Sequence, residues 1–127
     1  MPATEVEMPP VEISQRDGVM TIAICRPEIR NAVGPATARA LYAAFLRFEA
    51  EETAKVAVLT GRGGYFCAGF DLKSAGGGAS DEWLAALDIE ADWRDPVVDP
   101  RPGPMGPSRL MLSKPVIAAI EGPAVAG

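Results

Sequence analysis

An α/β fold is the architecture the sequence predicts, and three observations carry it. Val11-Glu12-Ile13-Ser14 and Val19-Met20-Thr21-Ile22-Ala23-Ile24 alternate in hydropathy on either side of Asp17-Gly18, the pattern of a two-stranded hairpin. A stretch of helical period then separates the hairpin from the apolar run Val56-Ala57-Val58-Leu59-Thr60, which gives half of a βαβ unit. That run and a second one, Val116-Ile117-Ala118-Ala119-Ile120, have the near-continuous apolar character of buried parallel strands, and both lead into loops of small residues.

In chain order, residues 1–10 are polar and proline-punctuated and are expected to form a flexible leader. The hairpin follows, with Met20, Ile22 and Ile24 on one face of its second strand. Arg26-Pro27 ends that strand, because proline lacks the ladder donor and restricts the residue before it. From Pro35 to about Glu51, Leu41, Ala44, Phe45 and Phe48 recur at helical spacing and Pro35 suits a first turn, so an amphipathic helix is predicted. Strand 56–60 comes next, then a glycine loop and Gly76-Gly77-Gly78. Ser80 reads as the N-cap of a second helix with Asp81 and Glu82 in its first turn. Trp83, Leu84, Leu87 and Ala91 form its apolar stripe, and Asp81, Glu82, Asp88 and Glu90 its solvated face. Seven of the twelve residues from Pro96 to Pro107 are Pro or Gly, which predicts an irregular, largely surface loop. Ser108 to Lys114 is expected to be a short helix stopped by Pro115, before strand 116–120 enters the final loop.

Composition limits the function classes. With 127 residues, 48% of them hydrophobic, the chain suffices for one small domain or part of one. Acidic side chains number 17 against 12 basic ones, a net charge of −5 without a basic cluster, which argues against nucleic acid as a partner. No apolar run reaches membrane-spanning length, so no membrane partner is expected. Cys25 and Cys67 lack CxxC spacing and no signal-peptide pattern opens the chain; reduced thiols in the cytoplasm are the expectation. Histidine is absent. Neither a histidine-bearing catalytic triad nor the usual histidine-bearing zinc site can be assembled, and no metal is expected. Proton transfer would fall to carboxylates, Lys, Tyr, Cys or water.

Two loops draw the functional reading together. Gly61-Arg62-Gly63-Gly64-Tyr65-Phe66-Cys67-Ala68-Gly69-Phe70-Asp71-Leu72-Lys73 follows strand 56–60, and Glu121-Gly122-Pro123-Ala124-Val125-Ala126-Gly127 follows strand 116–120. Small residues let a ligand approach main-chain N–H groups closely, and two such loops side by side would present the convergent donors an oxyanion needs. A dinucleotide site fits poorly, because Phe66 stands where the third fingerprint glycine belongs and no helix start with an acidic residue at the expected later position is evident. Taken alone, the glycine cluster reads as a tight structural connection ahead of a functional loop.

Three blocks of the sequence, Arg26-Pro27-Glu28-Ile29-Arg30-Asn31-Ala32, Phe66-Cys67-Ala68-Gly69-Phe70-Asp71-Leu72-Lys73 and Lys114-Pro115-Val116-Ile117-Ala118-Ala119-Ile120-Glu121-Gly122, resemble consecutive signatures of the crotonase superfamily, the enoyl-CoA hydratase/isomerase group. They stand in the family's order at comparable separations, and the likeness covers nearly everything from Val11 to Gly127. It implies the crotonase-like ββα spiral fold, N-terminal half only. It implies an acyl-CoA thioester as ligand, with no cofactor beyond the coenzyme A that the substrate carries. Residue by residue, it makes the backbone N–H of Phe70, just before the Asp of the Ala-Gly-x-Asp block, one oxyanion-hole donor, and the N–H of Gly127 the second. Ala68, Gly69, Phe70, Asp71, Leu72 and Lys73 would line the acyl-CoA site, with Arg30 and Ala32 as further candidates. Phe70 replaces the family's commoner Ala, which leaves a main-chain role intact while its bulk would shape the acyl pocket. Asp71 reads as a loop-fixing acceptor ahead of an acid or base, and Lys73 and Arg30 as solvated charges ahead of phosphate contacts. Cys67 reads as a small buried hydrophobe, and Trp83 and Leu87 as core or lid packing.

In hydratases of this superfamily the two catalytic glutamates lie on the C-terminal side of the glycine that matches Gly127. The sequence is therefore expected to be truncated, with a leader over 1–10 and a crotonase-like segment over 11–127. The resemblance implies an enoyl-CoA hydratase, adding water across a 2-enoyl thioester, with carboxylates outside these residues moving the proton. An enoyl-CoA isomerase is the alternative among enzymes, and an acyl-CoA-binding or assembly module without turnover the alternative outside them. A homo-trimer or hexamer is what the resemblance implies for a full-length protein.

Overall fold

A computed structural model of the chain describes residues 8–71 and 78–126. Its centre is a four-stranded sheet in the order β1 (Val11–Arg16), β2 (Val19–Ile24), β3 (Val56–Gly61), β4 (Val116–Ala119), accompanied by helices α1 (Pro35–Ala50) and α2 (Gly78–Ala86). β1 and β2 pair antiparallel through a two-residue turn in which Asp17 (φ +52) and Gly18 (φ +81) both lie in the left-handed region. Two positive φ values match the twist of the flanking strands, which is why Asp-Gly serves there. Of the expected leader, residues 1–7 fall outside the described part, and the Pro10 carbonyl already accepts the Cys25 N–H at 2.8 Å.

β3 runs parallel to β2 and β4 parallel to β3. The register aligns Met20 with Ala57, Ile22 with Leu59 and Ile24 with Gly61, and Val11 and Ile13 of β1 extend the same apolar face opposite Ile24 and Ile22. α1 packs on that face against β1 and β2. Its buried positions, Pro35, Thr37, Ala38, Leu41, Ala44, Phe45 and Phe48, repeat every three or four residues, as the predicted stripe requires. Pro35 opens the helix at a position where its missing N–H is not needed. At the other end the Lys114 ammonium donates to the carbonyls of Phe48, Glu51 and Ala54 at 2.6–2.7 Å and sits 4.7 Å from the Phe48 ring centre. A cation is favourable at a helix C-terminus, and here it also fixes where β4 begins.

Three elements differ from the expectation. α2 starts at Gly78, so Ser80 lies within the helix and is not its cap. Packing sets the helix position: Trp83 and Leu87 are buried and Trp83 Nε1–H donates to the Pro104 carbonyl (3.1 Å), while Leu84 and Ala91 are exposed. Between Ser108 and Lys114 there is only a 3-10 turn, Pro107–Arg109. Long-range bonds hold the remainder extended along α1: the Glu49 carboxylate accepts both the N–H and the hydroxyl of Ser113 at 2.9 Å. Finally, among the described residues β4 stands at the edge of the sheet and is exposed at all four of its positions, whereas its apolar run reads as a buried strand. Among the described residues α1 covers the opposite end of the sheet. The Pro/Gly segment 96–107 is irregular as expected, yet Gly103 and Gly106 are buried and exchange two 2.9 Å hydrogen bonds.

Candidate functional site

The site grows from the ends of β2 and β3. After β2 the chain turns through a 3-10 segment, Pro27–Ile29, and two successive left-handed residues, Arg30 (φ +55) and Asn31 (φ +57). After β3 the glycine loop folds back beside this turn. The two segments join by main-chain bonds: Ala68 N–H to the Arg30 carbonyl (3.1 Å), Val33 N–H to the Gly69 carbonyl (2.7 Å) and Asp71 N–H to the Val33 carbonyl (2.9 Å). The loop after β4 adds a third rail, through Cys67 N–H to the Pro123 carbonyl and Val125 N–H to the Cys67 carbonyl, both 3.1 Å. Short parallel bridges, Val33 with Phe70 and Cys67 with Ala124, mark the same ladder. The two small-residue loops thus lie side by side.

Ala68, Phe70 and Asp71 line a cleft of about 560 Å³ whose other wall is Glu28, Ile29, Arg30 and Ala32. That size suits a ligand of cofactor class. Cys67 instead borders a separate apolar cavity of about 190 Å³ with Ile24, Leu59, Met105 and Val125. It is 7% exposed, as a small buried hydrophobe should be, and its Sγ accepts the Gly69 N–H at 3.3 Å. Burial pushes its thiol pKa up, against a smaller lowering by that hydrogen bond. Gly69 is buried and belongs to the ladder more than to the cleft surface.

Five of the residues singled out in the sequence, Arg30, Ala32, Ala68, Phe70 and Asp71, therefore meet in one cleft. Leu72, Lys73 and Gly127 lie outside the described residues. The Phe70 N–H, expected as an oxyanion donor, donates to the Ala126 carbonyl at 3.3 Å. Arg30 is exposed, with its guanidinium 5.7 Å from the Tyr65 ring centre, and Glu28 on the same wall pairs with Arg26 at 3.0 Å. Glu28 and Ile29 belong to the cleft without having been singled out. Asn31 is the larger omission. It is fully buried, its Oδ1 accepts the Arg26 N–H (2.7 Å), and its Nδ2 donates to the carbonyls of Arg62 (2.8 Å) and Tyr65 (2.7 Å). The one sequence signal for it is its place in the Arg-Pro-x-x-x-Asn-Ala block, since Asn tolerates the left-handed region better than most residues.

Among the described residues no helix is long and apolar enough to cross a membrane. The pattern of the enoyl-CoA hydratase/isomerase family matches residues 14–100. Enoyl-CoA hydratase EchA19 of Mycobacterium tuberculosis is 33% identical over 98% of this chain and 44% of its own length. 4-Chlorobenzoyl coenzyme A dehalogenase-2 of an Arthrobacter species is 32% identical over 92% of the chain and 40% of its own. Among solved structures, enoyl-CoA hydratase EchA1 from Mycobacterium marinum superposes with a TM-score of 0.67 at 35% identity, covering 91% of this chain and 39% of that one. The chain spans about two fifths of the length of these relatives.

Proposed function

The chain belongs to the enoyl-CoA hydratase/isomerase family, and on that premise we propose that it binds an acyl-CoA thioester in the cleft between residues 28–32 and 68–71. The observation that carries this reading is the convergence of Arg30, Ala32, Ala68, Phe70 and Asp71 on one cleft, from two segments far apart in sequence. The thioester carbonyl is placed at the main-chain donors of the two loops, with the N–H groups of Phe70 and Gly127 holding the developing enolate. Leu72 and Lys73 continue the coenzyme A wall. A donor of this kind contributes about 2.7–4 kcal/mol of transition-state stabilisation. The Ala126 carbonyl must turn away for Phe70 to act. Its bond is long for N–H···O, and an enolate oxygen is the stronger acceptor, because hydrogen bonds to an ionised acceptor are about twice as strong as neutral ones.

The reaction is hydration of a 2-enoyl-CoA, completed by acid/base carboxylates other than those of the cleft, with no cofactor beyond the coenzyme A of the substrate. Isomerisation of an enoyl-CoA is the second enzymatic reading, and thioester binding without turnover the third. The whole protein acts in the cytoplasm as a homo-trimer or hexamer. Support for the compartment comes from Cys25 and Cys67, which are both unpaired.

Calorimetric titration with a short 2-enoyl-CoA tests the binding step. Saturable binding is expected, and Arg30→Ala should weaken it about two- to fivefold, the worth of one exposed charge contact. Absence of binding overturns the proposal. The product then separates the readings: 3-hydroxyacyl-CoA identifies a hydratase, a 3-enoyl product an isomerase, and unchanged thioester a binding module.

A further inference from the structure

We infer that Asn31 is a positioning residue that clamps the two walls of the cleft at their working separation; the inference rests on the acyl-CoA reading for its consequence, though not for its geometry. The wall contributed by residues 28–32 hangs from the end of β2, and the wall contributed by 68–71 from the loop after β3. The Asn31 amide reaches from the first segment into the stretch of the β3 loop, Arg62 to Tyr65, that leads into the second. With no exposed surface, it holds the Arg26 N–H on Oδ1 and the Arg62 and Tyr65 carbonyls on Nδ2, and its own N–H donates to the Arg26 carbonyl at 2.8 Å. Both amide protons are committed, so the side chain has one orientation.

The surroundings are built to that side chain. A Cβ on Gly61, the last residue of β3, would run first into the Tyr65 and Phe66 carbonyl oxygens and then into Asn31 Nδ2, 2.8 Å away, so the glycine leaves room for both the loop and the amide that holds it. The left-handed pair Arg30-Asn31 turns Arg30 toward the cleft and the amide inward. Tyr65 lies three residues before Ala68 and five before Phe70. A shift of the Tyr65 carbonyl therefore propagates directly into the wall that carries the thioester donor. Misplacement of such a donor by about 1 Å is enough for large losses in function.

The test pairs Asn31→Asp with Phe48→Leu, a core change in α1 remote from the cleft. Asn31→Asp keeps the size, the Oδ acceptor and the tolerance of positive φ, and replaces the two donors by an oxygen facing two carbonyls. Hydrogen exchange at the Val33, Ala68 and Asp71 amides reports wall coupling, and titration with a short 2-enoyl-CoA reports its consequence. Asn31→Asp should speed exchange at these three amides about tenfold beyond any change in β1 and β2, and should raise the Kd about tenfold, while Phe48→Leu does neither selectively. Equal effects of the two variants on exchange and affinity would reduce Asn31 to an ordinary stabilising residue and overturn the inference. So would faster exchange with an unchanged Kd. If the unaltered chain binds no thioester, the acyl-CoA reading falls by itself; selective opening of the three amides then still upholds the clamp, and its absence removes it.

Discussion

A methyl group on Gly69 would have no room. The residue sits at φ +92, and a Cβ there would lie 2.5 Å from the Ala126 carbonyl oxygen and 2.6 Å from Ala126 Cβ. Gly69→Ala joins an unfavourable backbone conformation to a collision with the final loop. It should lower the unfolding free energy by about 1–3 kcal/mol, read as a shift in the urea midpoint at unchanged m-value. Cys67, two residues earlier, sets a pH dependence. An unfolded cysteine ionises near pH 8.5, whereas burial keeps the folded thiol protonated to higher pH. The unfolded state therefore releases a proton that the folded state retains, and stability present below about pH 8.5 is lost as pH rises toward the folded value. Urea midpoints should decline through this alkaline range, and decline less in Cys67→Ala; equal slopes would refute the assignment to Cys67. At this scale the sequence exposes what lies in contiguous blocks. Ala68, Phe70, Arg30 and Ala32 are legible for that reason. Asn31 is not, because its partners Arg62 and Tyr65 lie 31 and 34 residues away and no local pattern connects them.

Between elements, Lys114 does for α1 and β4 what Asn31 does for the two walls. Its ammonium is shared by three main-chain carbonyls, from the last turn of α1 to Ala54. Lys114→Met removes all three bonds and leaves part-buried acceptors unsatisfied, for an expected loss of about 1–3 kcal/mol in chemical denaturation. Lys114→Arg should recover only part of this, since a planar guanidinium fork does not reproduce three donors converging from one point. Full recovery would show that charge alone matters there. The same contacts explain which elements the sequence discloses. The hairpin, α1 and β3 follow from local period and turn chemistry, and they appear within one or two residues of the expected bounds. The start of α2 and the segment 108–114 do not, because Trp83 on Pro104, and Ser113 on Glu49, override propensity with tertiary bonds.

Across the molecule, burial is deepest at β2 and falls toward the β4 edge of the sheet. Met20 and Ile22 on β2 have no exposed surface, whereas Val116, Ile117 and Ile120 at the β4 end are 40%, 57% and 60% exposed. The apolar character of 116–120 is plain in the sequence, but local pattern does not encode that, among the described residues, this strand stands at the sheet edge. An apolar edge strand offers unpaired main-chain groups beside hydrophobic side chains, a template for association with another chain. The net charge of −5 opposes that only weakly, because screening over about 8 Å at physiological ionic strength leaves contact-range pairing little affected. The 127-residue chain should therefore associate as its concentration rises, seen as a concentration-dependent sedimentation coefficient. Ile117→Lys places a charge on the edge and should shift the population toward monomer without altering far-UV circular dichroism. The lysine acts in two ways: it must be desolvated for a strand to dock, and it repels its own copy across a symmetric contact. If association persists unchanged in Ile117→Lys, the seam lies elsewhere on the molecule and the exposed face of β4 is not what drives it.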